Sequence, residues 1–241
     1  MKRRIKWKIS MLKNIPLLLG MVLILLSGSP INGRSETDHT SSENADLSTL
    51  QFNRIAVMPF LAGKLESPEE PVEKPLSQPL KQLKIDAASL AEGADQIMTR
   101  LVNDVLQIRF ADKMVSKQEA AAVYAEVIRD QALDTPRKLA KKFGENLHAD
   151  LVVVGTIWRF REKGTFNEMP ESPASVAFYV YLMEVAGGKR LWRNAFDGTQ
   201  KTLSEDVLGG LKQIKMGLRW LSANELARYG VKSVFKKFPL H

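Results

Sequence analysis

The chain contains no cysteine. That excludes a thiol nucleophile, a cysteine-ligated zinc and any disulfide. Histidine is scarce as well. His39, His148 and His241 stand far apart, and none falls in an H-x-x-x-H spacing. There is no G-x-S-x-G, no P-loop and no G-x-G-x-x-G; Gly187-Gly188 reads as a turn and Gly209-Gly210 as a helix-start feature. Basic charge is scarcer than the formal total of +8 suggests. Six of the 35 lysines and arginines lie in residues 1–33, where there is no acid, so the rest of the chain holds 29 cations against 27 acids, a net of +2. A nucleic-acid footprint needs its charge on the folded part together with a groove-reading motif, so nucleic acid is not expected as a partner. The Lys141-Lys142 and Lys236-Lys237 pairs read as solvated helix faces.

Long apolar runs are nearly absent too. The one that exists, IPLLLGMVLILL over residues 15–26, follows the six cations Lys2, Arg3, Arg4, Lys6, Lys8 and Lys13. A basic start, a short apolar core and small residues form the pattern of an export signal, whereas a spanning helix wants about 20 apolar residues. Residues 1–33 are read as an export signal or an uncleaved inner-membrane anchor. Either way, the positive-inside rule puts the rest of the chain on the periplasmic side of a bacterial membrane. Leu26-Ser27-Gly28-Ser29 resembles a bacterial lipoprotein signal box, with Ser29 at the cysteine position. Serine cannot form the thioether, so no lipidation is expected.

Residues 34–50 are polar and rich in serine and threonine, and they read as a disordered tether. Flexible-chain scaling gives such a segment an r.m.s. span of about 20–25 Å. Residues 51–241 read as an α/β domain. A strand over 51–61 ends at Pro59, which cannot donate to a ladder. The loop over 62–84 carries prolines at 68, 71, 75 and 79 and the acids Glu66, Glu69, Glu70 and Glu73, which predict an exposed polyproline-like segment.

Apolar spacing of three and four, behind a Ser89-x-x-Glu92 capping box, predicts a helix over 86–109. A strand is expected over 110–115. Ser116-x-x-Glu119 opens a helix to about residue 129, and Thr135-Pro136 opens another to residue 147. His148 marks the helix-to-strand corner. Further helices are expected over 202–221 and after the Ser222-x-x-Glu225 box.

The centre is ADLVVVGTIWRFR, residues 149–161. Counted by twos, Val152, Val154, Thr156, Trp158 and Phe160 share one face. Leu151, Val153, Gly155 and Ile157 share the other, which Arg159 and Arg161 carry out to water. A hairpin follows, with strands over 175–186 and 189–199. The expected architecture is a single mixed β-sheet flanked by helices, in the order β-α-β-α-α-β-β-β-α.

Arg54-Ile-Ala-Val-Met-Pro-Phe60, the long helix, Ala149-Asp-Leu-Val-Val-Val-Gly-Thr156 and the Gly188-Lys-Arg-Leu-Trp192 hairpin together resemble a known superfamily. It is that of the curli-secretion-channel envelope lipoproteins, similar in fold to the penicillin-binding-protein activator lipoproteins and the TolB N-terminal domain. The resemblance spans about 150 of the 241 residues. It implies a non-enzymatic envelope protein that acts by protein–protein contact, with an envelope complex or a cell-wall synthase as partner and no cofactor or metal.

Two alternatives stand beside it. One is a subunit of an oligomeric outer-membrane secretion channel, which makes a homo-oligomer an open option. The other is an envelope hydrolase built on a carboxylate pair drawn from Glu162, Glu168, Glu171 and Glu184. The expected partner-binding residues are Arg159, Arg161, Glu162 and Lys163 at the strand exit, with Trp192 and Arg193 on the hairpin, because Trp and Arg favour interface anchors. No catalytic residue is expected.

Overall fold

A computed structural model of the chain describes residues 47, 50–65, 75–164, 172–199 and 221–240. The signal or anchor segment, nearly all of the tether, the acids of the proline-rich loop and the helix expected over 202–221 lie outside these residues. The sheet is built around β3, Leu151–Arg161. β1 (Ile55–Val57) and β2 (Leu61–Ala62) pair with it in parallel on one side, and β4 (Ser175–Glu184) pairs antiparallel on the other. β5 (Arg190–Thr199) continues from β4, which gives one mixed five-stranded sheet in an α/β fold.

Helices cover both faces. α1 (Ala94–Phe110) and α4 (Ala223–Phe235) enclose a first core containing Leu151, Val153, Ile157, Phe178 and Val180. α2 (Lys117–Val127) and α3 (Pro136–Asn146) enclose a second, with Val152, Val154, Tyr181 and Met183. Among the described residues, three of the four helix starts follow the sequence. Ser116 and Thr135 accept the N–H three residues on, and Ser222 with Glu225 forms a complete capping box. α3 ends in a Schellman motif, in which the His148 N–H donates to the Glu145 carbonyl and the Ala149 N–H to the Gly144 carbonyl. His148 takes the left-handed position there, at φ +50°, which is the corner role expected of it.

The first strand divides at Pro59. The Met58 N–H still reaches the Val153 carbonyl, whereas Phe60 turns its N–H out of the sheet to Thr99 Oγ1 of α1, 2.9 Å away. That turn lays the Phe60 ring on Gly155. Asp150 ties the strand start, accepting the N–H groups of Asn53 and Arg54 at 2.7 and 3.0 Å.

Five expectations need correction. The long helix begins at Ala94, not at 86, and its N-cap is Gly93 at φ +72°. Asp86 captures the Ala88 N–H and the Ser89 hydroxyl in a local turn, and Leu90 bridges to Phe160, so the Ser89 box cannot close. The strand over 110–115 is reduced to a single bridge between Ile55 and Met114, because α1 runs to Phe110 and a 3-10 turn follows.

The proline-rich loop is not exposed throughout. Pro75–Ser77 is a 3-10 turn that buries Leu76 completely in the second core. Leu47, placed in the tether by its polar neighbours, is 8% exposed and belongs to the first core.

The register of β3 shifts at Trp158. Ile157 pairs with Phe178 and Arg159 with Ala177, so Trp158 is the extra residue of a β-bulge. One inserted residue reverses the alternation beyond it. Phe160 therefore joins Ile157 in the first core, and Arg159 and Arg161 move to the opposite face from the one expected. A second bulge at Leu191 shifts β5, where Leu182 pairs with Trp192 and Met183 with Arg190.

Candidate contact surface

The second face of the sheet is covered only in part. α2, α3 and residues 75–83 reach as far as Val154 and Tyr181. Beyond them, toward the end of β3, the face carries large side chains that remain partly open: Trp158, Arg159 and Arg161 on β3, Tyr179 on β4, and exposed Arg193, Ala195 and Asp197 on β5.

These side chains are organised. The Trp158 and Tyr179 rings lie 4.5 Å apart at 34°, and Tyr179 continues to Tyr181 at 6.1 Å. Lys64 sits 5.8 Å from the Trp158 ring centroid, and the Arg193 guanidinium 5.6 Å from that of Tyr179. Cations over aromatic faces gain from the ring quadrupole, and the rings lose little entropy on contact because they are already stacked. Arg159 forms an ion pair with Asp197 across Ala177 of β4. Burial, and then the neighbouring Arg159 guanidinium, lower the Arg161 pKa from its ordinary value, with Asp86 opposing. Lys64, Arg159, Arg161 and Arg193 outnumber the acids here, so this end of the sheet is positive around an aromatic centre.

Of the six expected contact residues, Arg159, Arg161 and Arg193 share this face. Trp192 does not. It is 6% exposed on the opposite face, packed 5.1 Å from Phe238 and 6.2 Å from Phe235. Glu162 accepts the Ala223 N–H at 2.9 Å and so holds the start of α4, where a carboxylate suits the helix dipole. Lys163 is exposed in the turn that follows β3. Sequence reasoning missed Lys64, Trp158 and Tyr179 as surface residues; the alternation of aromatic and basic side chains across 158–161 was the available signal.

The carboxylate pair does not assemble from Glu162 and Glu184. Glu184 pairs with Leu151 at one end of the β3–β4 ladder and Glu162 follows its other end, about 30 Å away at strand rise. Glu168 and Glu171 lie outside the described residues.

A cleft of about 230 Å³ opens between α1 and α2, bounded by Val57, Pro59, Asp95, Thr99, Arg100 and Lys117. Three of its polar side chains are engaged: Thr99 Oγ1 donates to the Asp95 carbonyl, Asn103 Nδ2 donates to the Thr99 carbonyl, and Lys117 pairs with Asp104 at 2.7 Å. Close by, Tyr124 packs edge-on against Phe143, and burial, then the Asp95 carboxylate, push its pKa up from 10.0 to about 12.

Because the folded value exceeds the unfolded one, this stabilisation is complete below pH 10 and is lost as pH rises through about 12. Tyr124→Phe should therefore remove about 2–3 kcal/mol of the alkaline loss of stability. Urea midpoints of both proteins at about pH 9 and about pH 12 measure it. Equal losses in the two would contradict the assignment.

The fold and the half-covered face define an α/β domain with one mixed sheet and an aromatic–basic surface at the strand exits. No protein-family model matches the chain, and no curated protein matches it in sequence. Among solved structures it is similar to the PelC dodecamer from Paraburkholderia phytofirmans, at 14% identity over 78% of this chain and 87% of that one, with a TM-score of 0.42. It is similar to the LpoB C-terminal domain from Salmonella enterica, at 14% identity over 63% and 87%, TM-score 0.36. It is also similar to lipoprotein GNA1162 from Neisseria meningitidis, at 12% identity over 67% and 94%, TM-score 0.38. The likeness is one of fold.

Proposed function

We propose that the chain is a bacterial envelope protein, held on the periplasmic side by its N-terminal segment, that acts by contact with an envelope protein and not by catalysis. The observation that carries this reading is the open end of the second sheet face. Its Trp158–Tyr179 stack is flanked by Lys64, Arg159, Arg161 and Arg193, with Asp197 and Asp86 as the acids beside them. Aromatic and arginine side chains supply most of the energy of protein interfaces, and a surplus of cations selects an acidic partner surface and speeds encounter. The six cations ahead of a twelve-residue apolar run support the location.

The test is crosslinking of the full chain in intact envelopes, comparing the native protein with an Arg159→Glu, Arg193→Glu double variant. The yield of the heterologous adduct should fall about tenfold or more, because two attractive pairs become repulsive. The melting temperature should change little, since both substitutions are at polar, partly exposed positions. An unchanged adduct from a folded double variant would contradict the proposal.

A further inference from the structure

β5 is an edge strand among the described residues, ten residues long and free of proline. The phase of its ladder is set by the hairpin. The Glu184 N–H donates to the Lys189 carbonyl, so after the Leu191 bulge Arg193, Ala195 and Asp197 fall at the non-hydrogen-bonded positions against β4. Their N–H and C=O groups therefore aim away from the sheet. The Ala195 N–H agrees with this: its acceptor is Oδ1 of the preceding Asn194, at 2.9 Å. Arg193, Ala195 and Asp197 are all exposed. An open edge of this kind is a template for another strand, which proteins usually blunt with charge.

Here the charges are spaced to fit a second copy of the same edge. From this geometry we propose that the chain forms a two-fold homodimer by antiparallel pairing of β5 with β5, centred on Ala195. In that register Ala195 opposes Ala195 of the partner subunit, and Arg193 opposes Asp197 of the partner subunit, twice by symmetry. All of these are outward-aimed positions, so each opposed pair exchanges two backbone hydrogen bonds. Opposed residues must share a face, and Arg193, Ala195 and Asp197 do, being opposite Tyr181, Tyr179 and Ala177 of β4. A register one residue away would set exposed Ala195 against the partner's Asn194, a residue that faces α4 through its bond to the Val234 carbonyl at 3.2 Å, and is excluded.

Alanine on the axis lets the backbones close without a side-chain clash. Asp197 already binds Arg159 and keeps 63% of its side chain exposed, which leaves room for a second guanidinium. Asn194 Oδ1 gives up the Ala195 N–H to the partner's carbonyl. The axis runs perpendicular to the sheet, so the two aromatic–basic faces lie side by side on one continuous sheet, with the two β4 strands three strand spacings, about 14 Å, apart. The edge pairing stands whether or not that face binds an envelope partner.

Light scattering of the full chain in mild detergent, from about 1 to about 100 µM, tests it, since an interface this small gives affinities in that range. The native chain should rise to the mass of two chains. Arg193→Glu places like charges opposite each other and should weaken the dimer about tenfold. Ala195→Pro removes an outward N–H that β4 does not use, and should abolish the dimer while leaving the circular dichroism spectrum unchanged. Should Ala195→Pro fail to fold, the charge swap Arg193→Asp with Asp197→Arg decides, and it should restore the mass lost in Arg193→Glu. A native chain that stays single at the highest concentration, a ring of many subunits, or a folded charge swap that stays single would each overturn the proposal. Lys64→Glu, beside Trp158 and on the far side of β3 from this edge, should lower partner capture and leave the dimer intact, so the two losses are read separately.

Discussion

Gly155→Ala is expected to destabilise the fold by about 3 kcal/mol, and Gly155→Val to prevent folding, because overpacking a closed core forces backbone or ring displacement. The cause is the Phe60 ring. A Cβ on Gly155 would lie 2.2 Å from its Cζ and 2.3 and 2.4 Å from its two ε carbons. The ring cannot retreat, since it is 2% exposed and lies 6.5 Å from Phe178, edge to face. It is fixed from below as well, by the Phe60 N–H bound to Thr99. The contact explains why the chain has Pro-Phe at one strand and Gly in the neighbouring one: Pro59 breaks the strand, Phe60 turns inward, and only glycine admits the ring. Phe60→Ala alone should cost about 3–5 kcal/mol through the cavity it leaves. The double variant should cost less than the sum of the two, with a coupling of about 1–3 kcal/mol. Urea denaturation of the four proteins measures this, and strict additivity would show that ring and glycine do not meet.

Trp192→Ala should cost a further large amount, about 3–5 kcal/mol, as loss of a buried aromatic. Trp192 closes a cluster with Phe235 at the end of α4 and Phe238 beyond it, whose rings are 5.1 Å apart, and Phe110 of α1 lies 6.2 Å from Phe238. Removing the indole opens the seam between β5, α4 and α1 together. A protein–protein anchor would behave differently: its truncation would weaken capture and leave the midpoint where it was. A Trp192→Ala midpoint within about 1 kcal/mol of native would return Trp192 to the list of contact residues.

That contrast shows what could be read in the sequence. β3 was legible because Leu151 to Val154 is apolar on both faces, and α2, α3 and α4 were legible because Ser116, Thr135 and Ser222 cap them as their spacing says. The mixed sheet and its flanking helices follow from those elements. The side on which each residue lies beyond Ile157 was not legible. A bulge carries no required residue type, and a single inserted Trp158 exchanges the faces of Arg159, Phe160 and Arg161. The Leu191 bulge does the same ahead of Trp192.

The early start of the long helix failed for another reason. Ser89 and Glu92 have capping-box spacing, but Asp86 competes for the same backbone and wins with two short-range hydrogen bonds. The contact surface was half legible, in its arginines. Its aromatic centre was hidden, because Tyr179 reads by period as core and only the incomplete helical cover leaves it open.

The open end of the sheet is the proposed meeting point of this chain with another envelope protein. A photo-crosslinking residue at Lys64, beside Trp158, in the full chain inside intact cells tests that. One dominant adduct with an acidic envelope protein is expected, lost when Arg159→Glu is added and absent when the crosslinker is moved to Lys138 on α3. Equal adducts from both positions, or an adduct at Lys64 that Arg159→Glu leaves untouched, would contradict it.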